Sequence, residues 1–154
     1  MKFKLNNLLL AVLLPMMAGS AFAGAPYNVF LSGQVMKGDT AINSFAAPIR
    51  IGGTFPVKAE VGNGAGKLLS EVNVTITPKG VVGNNVLVVV TGYLIQYPGT
   101  GKHTGDVVPG PISDTNYFSQ TVEIPQGQPT VFPFGDCKTP TTCSHSIVLS
   151  ASAQ

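Results

Sequence analysis

Tyr97 to Gly105 reads YPGTGKHTG and follows the apolar run NVLVVVTGYLI. A buried strand entering Gly-Thr-Gly-Lys has the outline of a phosphate-binding loop, whose pattern is G-x-x-x-x-G-K-[ST]. Anchored on Gly101 and Lys102, that pattern puts its first glycine at Gln96 and its magnesium-holding hydroxyl at His103. The motif must also open a helix, because helix N-terminal amides bind the phosphates. Here Pro109, Gly110 and Pro111 stop any helix within two turns. The stretch therefore reads as the start of a Gly/Pro-rich loop, and no nucleotide cofactor is implied.

Other catalytic groupings are sparse. The histidines are His103 and His145, and no G-x-S-x-G elbow is present to seat a serine nucleophile. His145 lies between Ser144 and Ser146 at a strand start, where an edge or exposed position is the expectation. Asp39, Glu60, Glu71, Asp106, Asp114, Glu123 and Asp136 occur singly, without a carboxylate pair or a calcium loop. The Asn73-Val74-Thr75 sequon falls in a strand pattern and carries no further reading. The chain is expected to be no enzyme and to use no metal.

Cys137 and Cys143 bracket Lys-Thr-Pro-Thr-Thr. Redox catalysis usually uses a two-residue spacer at a helix N-terminus, and zinc needs more ligands than two thiols and His145. A structural disulfide is the expectation, which calls for an oxidising compartment.

The N-terminus supplies that compartment. Lys2 and Lys4 precede an apolar stretch from Leu8 to Met17, and Ala21-Phe22-Ala23 forms a small-x-small cleavage site. The apolar stretch is about half the roughly 20 residues that a membrane span needs. Residues 1–23 are thus expected to be a cleaved signal peptide, sending residues 24–154 to the periplasm or exterior of a bacterium. Removing them takes away two of the nine Lys and Arg and leaves seven bases against seven acids. A neutral chain with scattered charges has no electrostatic attraction for nucleic acid.

Residues 24–154 suit one domain with its own core. Period-two alternation over Tyr27–Val35, Thr54–Val61 and Val72–Thr77 predicts half-buried strands. Asn85–Gln96 is almost continuously apolar and predicts a central strand covered on both faces. Further strands are expected at Tyr117–Ile124, Thr130–Phe134 and Ser146–Ser152, with turns at Gly62–Gly66, Gly80–Asn85 and Pro125–Gln128. No internal repeat is evident by eye. The fold expected is all-β: one antiparallel β-sandwich of about seven strands, immunoglobulin-like or similar.

The connection from Pro98 to Asp114 is long for a compact domain, and such loops tend to bind partners. Tyr97, Lys102, His103 and Asp106 are its candidate contact residues.

The order VTITPKGVVGNNVLVVVTGYLI followed by FSQTVEIPQGQPTVFPFG is similar to a stretch of secretins, the outer-membrane secretion pores. Val74–Pro78 stands at that family's V-x-V-T-P strand, and Thr121–Val131 at its T-x-V-x-V-x-x-G-Q-x-x-V arm. Phe134-Gly135 replaces the family's paired glycine, and the upstream ring-building domains have no counterpart. The resemblance implies a role beside a protein partner in a cell-envelope assembly.

These readings converge on an exported, non-catalytic envelope protein, a structural or partner- or ligand-binding β-sandwich module. The alternatives are a subunit or accessory of a surface fibre or secretion apparatus, with Tyr27–Val35 as an exchangeable strand, and a small periplasmic hydrolase.

Overall fold

The computed structural model describes residues 28–97 and 113–154. Eight strands run in chain order: β1 (Asn28–Lys37), β2 (Thr40–Arg50), β3 (Phe55–Gly62), β4 (Leu68–Val82), β5 (Asn85–Gln96), β6 (Asp114–Pro125), β7 (Thr130–Thr139) and β8 (Thr142–Ala153). They form two four-stranded sheets, ordered β2-β1-β8-β7 and β3-β4-β5-β6, with every pairing antiparallel. The expected all-β sandwich is the fold, with eight strands instead of about seven. Apart from β1 against β8, each strand pairs with its sequence neighbour, so the connections run up and down without the Greek-key crossing of immunoglobulin domains.

Alternation builds the core. Val29, Leu31 and Val35 of β1 and Val72, Val74 and Ile76 of β4 belong to one core between the sheets, all nearly or fully buried. In β5 the even positions Val86, Val88, Val90 and Leu94 are buried. Leu87, Val89, Tyr93 and Ile95 face outward and are only half-buried. The expectation of cover on both faces therefore fails. The sheet is antiparallel and joined by hairpins, and among the described residues no second layer lies over its outer side.

The strand missing from the sequence reading is β2. Its ladder with β1 slips between Val35 and Met36, making Ile42 an extra residue that breaks the alternation. The remainder, NSFAAPIR, mixes small, polar and apolar residues, and Pro48 suits the edge position that β2 occupies.

The two sheets share one connection scheme. Mapping β1 to β5, β2 to β6, β7 to β3 and β8 to β4 turns one strand order into the other. The sequences follow: Val29-Phe30-Leu31-Ser32-Gly33-Gln34-Val35 matches Val88-Val89-Val90-Thr91-Gly92-Tyr93-Leu94 in type at nearly every place. A side chain on Gly33 would strike the Val148 carbonyl and the Phe45 ring, and one on Gly92 would strike the Asn73 carbonyl and the Phe118 ring. In each half an edge-strand phenylalanine thus lies over an inward-facing glycine of the neighbouring strand. That ring then meets a second one across the seam between sheets. Phe45 of β2 reaches Phe55 of β3 at 5.7 Å, and Phe118 of β6 stacks on Phe134 of β7 at 4.5 Å. Such pairs add about 1 kcal/mol beyond the area they bury.

The expected disulfide is present. Cys137 and Cys143 face each other in the β7–β8 ladder, close to its turn. Closing so short a loop stabilises the fold by about 2 kcal/mol in the chain-entropy view.

Two stability measurements check this packing. Gly92→Ala should cost about 1–3 kcal/mol in urea unfolding. Gly80→Ala, at a site with open space around it, should stay within about 0.5 kcal/mol. Equal effects at the two sites would mean that Phe118 does not depend on the bare glycine. Reduction of Cys137–Cys143 should lower stability by about 2 kcal/mol while leaving the β-sheet circular dichroism in place.

Candidate functional site

Residues paired directly in an antiparallel ladder point to the same face of the sheet. Lys37 of β1 pairs with His145 of β8, and Ser70 of β4 pairs with Gln96 of β5, which pairs in turn with Asp114 of β6. Each of these continues the inward-facing series of its strand. The last inward row of the first sheet is therefore Lys37 and His145, and that of the second is Ser70, Gln96 and Asp114. At this end the apolar core stops at Leu94 and Ile147, and the polar rows line a cavity of about 350 Å³ between the sheets. Under the correspondence between halves, Lys37 is the counterpart of Gln96 and His145 the counterpart of Ser70. The cavity thus lies between two equivalent cross-strand pairs whose chemistry has diverged.

Two members of the site are buried polar groups without partners. His145 is 2% exposed and Ser70 is 3% exposed, yet among the described residues neither His145 Nε2 nor Ser70 Oγ makes a hydrogen bond. Leaving such a group unsatisfied costs about 1–3 kcal/mol. The expectation of an edge or exposed His145 is overturned. It is the inward residue of a central strand, and Phe134 packs beside its ring at 5.7 Å.

The other ring nitrogen is held. Ser144 Oγ lies 2.9 Å from His145 Nδ1 and accepts the Asp136 N–H at 3.1 Å. The contact occupies Nδ1, and the ring tautomer sets which of the two atoms donates. Among the described residues Nε2 is left without a partner and closed to solvent. Gly135 makes room for this arrangement. It has φ +84°, and a Cβ there would meet Ser144 Oγ at 2.6 Å and Leu94 Cδ2 at 2.8 Å. Gly38 N–H donates to the Ser144 carbonyl at 3.0 Å, tying the β1–β2 turn beside Lys37 to the start of β8.

Burial holds the His145 pKa below its ordinary 6.5, the Lys37 ammonium lowers it further, and the Asp136 carboxylate opposes both. Lys37 and Asp114 are exposed, line the cavity from opposite sheets, and form no ion pair among the described residues.

Of the candidate loop residues, Tyr97 lies at the cavity rim. Its N–H donates to the Leu69 carbonyl at 2.9 Å and its hydroxyl reaches Glu71 at 3.5 Å. Lys102, His103 and Asp106 lie outside the described residues. Ser70 was missed by the sequence reading, and the matched strings around Gly33 and Gly92 are the signal that relates it to His145. Among the described residues no three His, Cys, Asp or Glu side chains gather as a metal site. No hydrogen bond joins Ser70 Oγ to His145, so the two are not arranged as nucleophile and base.

No family model, no curated protein and no solved structure matches this chain. The secretin-like segments fall in β4 and in β6 through the start of β7.

Acid should weaken the fold through His145. The unfolded chain takes a proton there near pH 6.5, whereas the buried ring stays neutral to lower pH. The unfolded state binds more protons in that window, so stability falls as pH drops through 6.5 until the folded ring is itself protonated. Lys37, Asp114 and Asp136 are the charged groups around the ring. Unfolding followed from pH 7.5 to 5 should show this loss, and His145→Phe should flatten it. An unchanged pH slope in the variant would contradict the buried, neutral assignment.

Proposed function

We propose that the chain is an exported envelope protein, with residues 1–23 as its export signal and residues 24–154 as one β-sandwich domain. It works without catalysis as a ligand-binding module, and its site is the polar cavity at the end of the sandwich. The export reading is supported by Lys2, Lys4, the Leu8–Met17 stretch and the Ala21-Phe22-Ala23 site, and by a disulfide that suits an oxidising compartment. One observation carries the binding reading: Ser70 and His145, both almost fully buried and each with one side-chain atom that has no partner among the described residues, line the same cavity. Structural serines and histidines at such burial are ordinarily satisfied. Both atoms are closed to solvent, so a ligand recovers that cost once the lining side chains turn toward it.

A protein partner in the envelope is a second reading, favoured by the outer side of the second sheet. Tyr117 is 80% exposed there and touches Tyr93 at 6.0 Å, beside the half-buried Leu87, Val89 and Ile95. Exposed aromatic patches of this kind are common in interfaces. The fibre alternative gains no such support from β1, which is paired along both edges by β2 and β8 and offers no unfilled strand position. The hydrolase alternative likewise gains none from the unbonded Ser70 and His145.

Ser70→Ala separates function from structure. Removing an unsatisfied buried hydroxyl should leave thermal stability unchanged or slightly raised, while ligand carried by the protein from the envelope, read by native mass spectrometry, is lost. A destabilised variant that retains whatever the parent carries would assign Ser70 to the scaffold and remove the reading.

A further inference from the structure

The edge strands of the two sheets are β2, β7, β3 and β6, and they are not alike. β2, β3 and β7 each contain a proline, Pro48, Pro56 and Pro133, and the ladder of each to its neighbour is broken by a register shift. Each also carries a basic residue, Arg50, Lys58 or Lys138. On two of them a main-chain acceptor is taken from across the seam: Asn43 Nδ2 donates to the Lys58 carbonyl, and Gln120 Nε2 donates to the Pro133 carbonyl. Prolines, bulges and edge charges are the features that keep a free strand edge from pairing with another chain.

β6 lacks them. From Asp114 to Pro125 it pairs with β5 without a register shift, and its one proline is the last residue. It has no Lys or Arg, and its acids, Asp114 and Glu123, stand near opposite ends. Among the described residues no main-chain group from Asp114 to Ile124 makes a hydrogen bond outside the β5 ladder. The outward series Thr115, Tyr117, Ser119, Thr121 and Glu123 is exposed. The contrast is sharpest with β2, the counterpart of β6 in the other half. The same place in the fold is blocked in one sheet and open in the other.

We propose that β6 is a pairing edge for a second copy of this chain, joining two sandwiches through an antiparallel β6–β6 ladder into one continuous sheet. Self-pairing is what the missing features would prevent, and the acids of the strand do not prevent it. Directly opposed residues share a face. Asp114 lies on the inward face and Glu123 on the outward one, so antiparallel self-pairing never sets these two carboxylates opposite each other. A ladder centred on Ser119 keeps residues 115–123 paired throughout. It places Tyr117 opposite Thr121 of the second copy and Thr115 opposite its Glu123, so the most exposed aromatic side chain gains a cross-strand neighbour. One open edge per chain closes into a two-fold pair and stops there, whereas two open edges would continue into a fibre.

Sedimentation velocity on the protein isolated from cells, run from about 1 to 100 μM, tests this. The upper concentrations should report two chains per particle. Ser119→Lys and Ser119→Glu each set like charges against each other at the centre of the ladder, and each should weaken the dimer at least about tenfold. Mixed in equal amounts, the two variants should regain it, which loss of folding in either would not allow. Ala46→Lys, at the equivalent exposed place on β2, should sediment like the parent. A parent that stays a single chain at about 100 μM overturns the proposal. So does a dimer that Ser119→Lys leaves intact, a pair of Ser119 variants that stay monomeric when mixed, or a different protein sedimenting with the chain in place of its own copy.

Discussion

Ladder register is the constraint on which the site depends. In an antiparallel sheet a slip of one residue turns every side chain of a strand to the opposite face. The registers Lys37 with His145 and Ser70 with Gln96 are fixed by the inward residues further along the same strands, Leu31 and Val35 against Ala151 and Ile147, and Val72 and Val74 against Leu94 and Gly92. Those side chains gain their stability only in this register, so the polar residues at the strand ends are carried inward with them. The core thereby positions a polar floor that would not choose burial on its own terms, at a cost of about 1–3 kcal/mol for each unsatisfied group.

The same frame explains why the cavity lies between equivalent positions. Each half places an inward glycine beneath an edge phenylalanine and closes its seam with a second ring from the other sheet. This leaves β1 with β8 and β4 with β5 as the central strands, and their ends meet at one end of the core. One pair ends in Lys37 and His145, the other in Gln96 and Ser70. Equivalent backbone with different side chains gives two walls of different charge around one space. The Ser144–His145 contact, made possible by the bare Gly135, holds the His145 ring in the first wall.

Much of this architecture can be read from alternation, and the exceptions have local causes. Val29, Leu31 and Val35, or Val72, Val74 and Ile76, declare a buried face without reference to any partner. The disulfide follows from two cysteines close in sequence and an N-terminus that reads as an export signal. In contrast, β2 hides behind the extra residue Ile42 and a run of small side chains. The outer face of β5 looks buried because valine and leucine mark a strand equally well on either side of it. His145 and Ser70 are the least legible. Burial at a strand end is decided by what the opposing sheet places across from it, and those residues lie in distant segments of the chain. The likeness of VFLSGQV to VVVTGYL is the one sequence signal that aligns the two halves and brings Ser70 and His145 into equivalent places.

The central claim is that His145 is a buried neutral ring, held at Nδ1 by Ser144, at the polar end of the core. Nitrogen-15 NMR of the labelled imidazole at pH 7 tests it directly, because the two nitrogens report tautomer and charge separately. The expected spectrum shows the neutral form at pH 7, with no titration near 6.5. A ring that titrates as an exposed histidine would contradict the account.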